Sequence, residues 1–353
     1  MPSARRRSTV RPHRVSVSFC PRDEERNIEA CVTALLAQDY ANFEVIVVDD
    51  SSTDTTPAIL ARLAHTPEGQ KRLRVIRVDK LPTGWAGKPH AMHTGARVAS
   101  GGWLLFTDAD TRHAPTALRS AIARAIYEKA DLFTIGTQQK LPGFWNKVMM
   151  PIAYMGIAAQ YPPSLVNNRR IPLAIANGQY LLIRRAMFDR VGGYDTDERR
   201  GTVVDDLALG RIVKRAGGKL VFVDGRDLVS VQMYGSLREH INGWSKNGAT
   251  GSHGGLWLFP LFFLGLPLIT IWPFAALLWG LIGRKPTLAA SGATATVATL
   301  AYRAYLDRML DIPWAYALTH PLGGAIFTYI LARTYWHKLR GTTVAWRGRT
   351  YAA

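Results

Sequence analysis

Three short apolar runs in this chain each stop at a cluster of acids. Val15–Phe19 precedes Pro21-Arg22-Asp23-Glu24-Glu25, Glu44–Val48 precedes Asp49-Asp50, and Trp103–Thr107 precedes Asp108-Ala109-Asp110. Runs of β-branched and aromatic residues predict buried strands. Between them, Ile28, Cys31, Val32, Leu35 and Leu36, and later Leu118, Ala121, Ile122, Ala125 and Ile126, recur at steps of three and four, the period of one helix face. Strands alternating with helices build an α/β domain with a mostly parallel sheet. Ligands of such sheets gather outside the carboxyl ends of the strands, so the three acidic clusters are expected to converge on one crevice.

The same pattern continues. A polar turn, Asp49–Asp54, leads to a helix near Thr55–Ala64 and a third strand at Leu73–Val78; Lys88–Ala99 reads as a helix, Tyr180–Ile183 as a strand, Val204–Ala216 as a helix closed by Gly217 and Gly218, and Leu220–Val223 as a further strand. The catalytic unit is thus expected over 15–251, after a basic tail over 1–14. That tail carries Arg5, Arg6, Arg7, Arg11 and Arg14 with no apolar stretch behind them, which is not the pattern of a signal peptide. It reads as solvated or as lying on an anionic membrane.

Beyond 251 the chemistry changes. Leu256–Ile282 holds 27 residues without a charge, more than the ~20 a spanning helix needs. Pro313–Ala332 is a second candidate, Thr287–Leu300 is marginally apolar, and Pro260, Pro267 and Pro273 leave open a re-entrant pair in place of the first span. A membrane region over 252–332 with C-terminal transmembrane helices is expected. No acid follows Ile312, whereas Arg333, Lys338, Arg340, Arg347 and Arg349 crowd the tail over 333–353, so the positive-inside rule puts that tail and the catalytic unit in the cytoplasm. Phe144–Val166, with Lys147 as its one charge, either lies on the bilayer surface or covers the catalytic core.

Lys and Arg total 44 against 26 Asp and Glu, a formal charge of +18, which favours phosphate-bearing ligands or an anionic membrane. The arginines are spread and match no nucleic-acid-binding motif, so nucleic acid is not an expected partner. Cys20 and Cys31 are too few for a disulfide framework and lack metal-ligand spacing.

Two carboxylates flanking one small residue past a strand end, Asp108 and Asp110, can share a hard cation. Mg²⁺ or Mn²⁺ would bridge them to a diphosphate and neutralise the leaving group. Gly84-Trp85-Ala86-Gly87-Lys88-Pro89 is a loop before a helix where backbone can approach phosphate and Lys88 adds charge, without Walker spacing. His90 and His93 follow at helical spacing but lack a third metal ligand. In Val203-Val204-Asp205-Asp206-Leu207 the acids either cap the following helix or do acid–base work.

In their order, these clusters resemble the family 2 glycosyltransferases of GT-A fold, over roughly Val15 to Gly251. The resemblance implies an inverting transfer from a UDP-sugar. Pro21, Arg22, Asp23 and Glu24, with Asp49 or Asp50, would hold the uridine part, Gly87 and Lys88 would match the family's glycine-lysine element, and Asp108 and Asp110 would hold the metal, Asp108 also touching the donor. Asp206 would be the general base and Asp205 its support. Asn177, Gly178 and Gln179 match the acceptor-side segment, which continues to Arg184, Arg185, Gly192, Gly193 and Tyr194. His240-Ile241-Asn242-Gly243-Trp244 stands where processive synthases carry QxxRW, and only Trp244 survives, either stacking on sugar or packing at the membrane boundary. That departure implies a single transfer. The run Gly243–Asn247 and the late Trp346–Tyr351 look most like the hopanoid- and carotenoid-associated branch, implying a lipid acceptor. A processive or polyprenyl-phosphate glycosyltransferase is the alternative. Nucleotidyl transfer is disfavoured because no glycine-rich loop follows the first strand, and a non-catalytic membrane scaffold or transporter because the apolar segments hold almost no charge.

Overall fold

The computed structural model describes residues 13–202, 204–251, 259–340, 343–346 and 349–352. The predicted basic stretch from Arg5 to Arg11 and the start of the apolar run at Leu256 lie outside them. The chain opens with β1 (Val15–Phe19), α1 (Ile28–Leu36), β2 (Phe43–Asp49), α2 (Thr56–Ala64), α3 (Pro67–Arg72), β3 (Leu73–Arg77), α4 (Gly87–Val98) and β4 (Trp103–Thr107). Every residue of β1 and β4 is buried, as expected of central strands covered on both faces. Then come β5 (Thr111–His113), α5 (Ala117–Tyr127), β6 (Leu132–Gly136), β7 (Gln138–Gln139), α6 (Gly143–Gln160), α7 (Pro163–Val166), β8 (Leu181–Arg184), α8 (Arg185–Arg190), α9 (Asp197–Arg200), α10 (Asp205–Arg215), β9 (Leu220–Asp224) and β10 (Val229–Val231).

The main sheet has the order β3-β2-β1-β4-β8-β6-β9. It is mostly parallel, as expected, and mixed: β8 runs antiparallel to both neighbours, whereas the other pairs are parallel. β8 therefore begins, rather than ends, at the edge where β4 ends, and the chain entering it is carried across the crevice. A small second sheet, β5-β10-β7, adjoins the same edge. α1 and α5 bury the faces read from periodicity, Ile28, Cys31, Val32 and Leu35, and Leu118, Ala121, Ile122 and Ala125.

The C-terminal region comprises α11 (Leu237–Gly251), α12 (Phe259–Thr270), α13 (Trp272–Ile282), α14 (Pro286–Met309), a 3₁₀ turn at Trp314–Thr319 and α15 (His320–Leu339). Among the described residues no single helix is long and apolar enough to cross a membrane. Phe263–Thr270 and Trp272–Ile282 form a pair bent by 53° at a break flanked by Pro267 and Pro273, the arrangement those prolines left open. The stretch expected as one span from Pro313 is likewise divided, its first turn being 3₁₀. α6 spans most of Phe144–Val166, buries Val148, Met149, Met150 and Ile152, and packs against α14 and α15. Glycine permits the closest approach, since a Cβ on Gly323 of α15 would lie 2.8 Å from the Val148 carbonyl oxygen.

Candidate active site

The loops after β1 and β2 are laced together. Arg22 Nη1 donates to the Asp50 carbonyl at 2.9 Å and sits 3.9 Å from its carboxylate, while the Asp50 N–H donates to the Pro21 carbonyl at 3.1 Å. Asp23, at φ 52°, accepts from the backbone and hydroxyl of Thr53, and Glu25 accepts from those of Thr55. The Glu24 N–H donates to Thr56 Oγ1 at 3.0 Å. Asp49 accepts from Arg77 Nη1 at 2.8 Å and from the Ser52 N–H. Asp49 is thus committed to the end of β3, which leaves the buried Asp50 beside Arg22 as the polar wall after β2.

The carboxylates after β4 and in the first turn of α10 meet at one cation. Lys88, in the first turn of α4, places its ammonium 2.7 Å from Asp108 Oδ1 and 3.7 Å from Asp205 Oδ1. Burial pulls that ammonium down, but the charges of Asp108, Asp205 and Asp206 more than offset it and hold it well above the usual lysine range. Asp205 is buried beside Tyr194, and desolvation, opposed by Lys88, pushes its carboxyl up to about 6. Asp206 is pinned by two backbone donors, Gly178 N–H to Oδ2 and Leu207 N–H to Oδ1, each at 2.7 Å. Carboxylate oxygens carry further lone pairs, so these bonds fix its orientation and leave capacity to accept a proton. The cap of α10 is Val204, without a side-chain bond, so both acids lie in the first turn.

Gly178 is what lets the segment before β8 reach this centre. A Cβ there would meet Asp206 Oδ2 at 3.1 Å and Lys88 Nζ at 3.2 Å. Its neighbours turn inward: Asn177 Nδ2 donates to the Ile135 carbonyl at 3.0 Å, and Gln179 Oε1 accepts from Thr137 Oγ1. Thr107 Oγ1 donates to the Gln179 carbonyl at 2.7 Å and lies 3.1 Å from His113 Nε2, with Thr111 Oγ1 3.0 Å from the same nitrogen. Burial pulls His113 down to about 3, so it is neutral here. Thr107, Thr111 and His113 are not marked by any motif, yet they brace the Asp108–Asp110 turn, Thr111 Oγ1 donating to the Asp108 carbonyl at 2.7 Å; the threonines flanking the acids are their one signal in the sequence.

His90 and His93 pack on Trp85, ring centroids 5.3 and 5.1 Å away. Asp110 is half-buried in the turn after β4. Trp244 lies in α11, 5.7 Å from the Phe327 ring and 6.3 Å from that of Tyr234, in the apolar cluster joining α11 to α6 and α15. His240 is buried against Asn146 at 3.0 Å. Gly243, where processive synthases carry Arg, faces the Tyr234 ring, and a Cβ there would lie within 2.6 Å of Tyr234 Cζ. Gly243→Ala should therefore destabilise the fold by about 1–3 kcal/mol, the cost of overpacking, read as a lowered denaturant midpoint at unchanged slope.

The model of the family described as "Glycosyl transferase family 2" matches residues 16–192. The chain belongs to this family. Within family 2 it is similar to the beta-monoglucosyldiacylglycerol synthase of Nostoc sp., 29% identical over 199 residues covering 55% of this chain and 40% of that protein. It is also similar to the UDP-Glc:alpha-D-GlcNAc-diphosphoundecaprenol beta-1,3-glucosyltransferase WfgD of Escherichia coli, 31% identical over 96 residues, 27% of this chain and 34% of that one. The chain spans well under half the length of these two relatives. Among solved structures it is similar to the mannosyltransferase PcManGT of Pyrobaculum calidifontis in complex with GDP-Man and Mn²⁺, with a TM-score of 0.54, 20% identity, and coverage of 92% of this chain and 87% of that one. That likeness gives the family 2 chain its GT-A fold.

Proposed function

We propose that this family 2 chain transfers one sugar, with inversion, from a UDP-sugar to a hydroxyl or carboxyl of a membrane lipid such as a hopanoid or carotenoid. The observation that carries this reading is the convergence of Asp108, from the donor side, and Asp205-Asp206, from the reacting side, on Lys88. Asp206 takes the acceptor proton as its oxygen attacks the anomeric carbon and the bond to the diphosphate breaks on the opposite face. Asp205 and the Gly178 N–H orient that base, and Lys88 lies where the diphosphate gathers charge. Asp50, with Arg22, Pro21 and Glu24, lines the uridine side.

The donor set at Asp108 and Asp110 is two carboxylates on a turn, and the described residues offer no group of three His, Cys, Asp or Glu ligands. This suits Mg²⁺ or Mn²⁺, which commonly take one or two carboxylates and complete their shell with phosphate and water. Bound there, the cation would neutralise charge on the diphosphate. Asp110→Ala should weaken metal-dependent donor binding by at least about 10–100-fold, the range already seen for groups one shell out, and calorimetric titration of UDP with and without the ion checks this.

The lipid acceptor is supported by the two relatives, a monoglucosyldiacylglycerol synthase and a glucosyltransferase acting on a diphosphoundecaprenol, and by the apolar exterior of the C-terminal helices. Leu264, Leu268, Ile269, Trp272, Leu278, Trp279, Leu281 and Ile282 of α12 and α13 are exposed, a patch of the kind that marks a membrane-facing surface. We place α12–α15 in the bilayer, with the catalytic domain and the basic tail on the cytoplasmic side. Membranes containing the full chain, given a panel of labelled UDP-sugars, should yield one labelled lipid and free UDP. Pyrophosphate released from a nucleoside triphosphate, or label that stays water-soluble with every donor, would sink the reading.

A further inference from the structure

A buried chain of hydrogen bonds joins the turn after β4 to the segment that holds the base, and it passes through one imidazole. Thr107, Thr111 and His113 are all buried, the two threonines completely. Thr107 closes β4 ahead of Asp108, and Thr111 and His113 begin and end β5 just past Asp110. β5 is held extended by β10, with Thr111 opposite Val231 and His113 opposite Val229, so the two side chains share one face of the strand.

Hydroxyl protons are the scarce quantity in this cluster, one to each threonine. Thr111 Oγ1 donates its proton to the Asp108 carbonyl at 2.7 Å, and Thr107 Oγ1 donates its own to the Gln179 carbonyl, also at 2.7 Å. A carbonyl only accepts, so both protons are committed and the two hydroxyls, 3.1 Å apart, have none to give each other or the ring. Yet His113 Nε2 lies 3.1 Å from Thr107 Oγ1 and 3.0 Å from Thr111 Oγ1. The hydrogen in these contacts therefore belongs to Nε2, which donates to both oxygens at once.

The two branches end in different halves of the site. One ends on the Asp108 carbonyl, in the turn assigned above to the donor. The other ends on Gln179, the residue after Gly178, whose N–H holds Asp206 Oδ2 at 2.7 Å. Further bonds tie this segment to β6 and the residue after it, from the Asn177 N–H to Thr134 Oγ1 and from Thr137 Oγ1 to the Gln179 side chain. The Thr107 bond ties it to the donor turn. We infer that His113 is a positioning residue of the transfer reaction: its Nε2–H fixes the spacing between the Asp108–Asp110 turn and the Gly178–Asp206 pair, and so the distance from base to leaving group. The inference rests on the roles given above to Asp108 and Asp206.

Transfer is followed with the full chain in membranes, and UDP is titrated with and without Mn²⁺ in neutral detergent. His113→Met keeps the bulk and removes the N–H. It should lower kcat by about 10–100-fold, the range for a lost orienting partner or a misplacement near 1 Å, and weaken ion-dependent UDP binding with it. His113→Gln returns an N–H donor near the place of Nε2 and should recover most of both losses. Valine has the shape of threonine, so the branches can be cut one at a time: Thr111→Val should weaken ion-dependent UDP binding more than it lowers kcat, and Thr107→Val the reverse. His113→Gln no better than His113→Met overturns the inference, as does a His113→Met chain that melts earlier yet keeps the parent's kcat and UDP affinity. If His113→Met does not fold, the valine variants decide, and equal effects of the two on both quantities overturn it. A parent chain that labels no lipid from any UDP-sugar would instead remove the transfer reading, whereas UDP binding weakened in His113→Met and recovered in His113→Gln would keep the link from the imidazole to the donor turn.

Discussion

Asp206→Asn should lower sugar transfer by about 10²–10⁴-fold, the range supplied by a positioned general base, while leaving donor affinity nearly unchanged. The amide keeps one oxygen, which can accept the Gly178 N–H that now donates to Asp206 Oδ2 at 2.7 Å, and gives up the bond from the neighbouring Leu207 N–H, so the segment before β8 and the Lys88 cluster should hold their places. What is lost is the capacity to take a proton. The split is therefore expected in kcat, with the donor KM close to that of the parent. Asp205→Asn is the control: it changes a carboxylate 3.7 Å from Lys88 and should disturb donor binding along with turnover. If Asp206→Asn turns over like the parent chain, the base lies elsewhere and the assignment falls.

Arg303→Met should destabilise the C-terminal helices by about 3–5 kcal/mol, the cost of stranding one member of a buried ion pair. Arg303 and Asp307 lie one turn apart on α14 and are both fully buried. Arg303 Nε donates to Asp307 Oδ1 at 2.7 Å, and Nη2 donates at 2.7 Å to the Lys147 carbonyl of α6. Removing the guanidinium leaves a carboxylate in an apolar interior and a carbonyl without its donor. The double variant Arg303→Met/Asp307→Leu should recover most of the loss, because replacing a whole buried pair by apolar groups is often neutral or better. Thermal unfolding of the full chain in one detergent gives the comparison; a single variant as stable as the parent would show that Asp307 finds solvent or another partner.

Much of the catalytic domain was legible because strands of β-branched residues and helices of regular period carry their own signatures. Val15–Phe19 and Trp103–Thr107 are strands as read, and the helix read over Lys88–Ala99 spans Gly87–Val98. Asp108 and Asp110 lie just past β4 as read, whereas strand order says nothing of Asp205 and Asp206 at the start of a helix, and their meeting with Asp108 at Lys88 rests on tertiary contacts. The antiparallel direction of β8 was not legible: Leu181–Arg184 has the same apolar character whichever way it runs, and only its partners fix its sense. Nor could sequence reveal that Asp49 is taken by Arg77, that Asn177 and Gln179 turn towards β6 and the residue after it, or that Gly178 is placed by its lack of a Cβ, because each depends on contacts across 25 or more positions. At the C-terminal end, hydropathy registered an uninterrupted apolar run, while the prolines inside it left open the break that the backbone takes between Thr270 and Trp272.

The place of β8 in the sheet sets an order of assembly. The strands β1 to β4 can pair as soon as they are made, but β6 shares no edge with them until β8 slots between β4 and β6, and β9 is made last and joins β6. During synthesis both flanking strands wait with open backbone donors and acceptors, the condition in which nascent chains pair with the wrong partner. β8 also carries the Gly178 segment ahead of it, so the strand that joins the two halves of the sheet is the one that brings Asp206's backbone donor into position, and a fault in its pairing would reach the site directly.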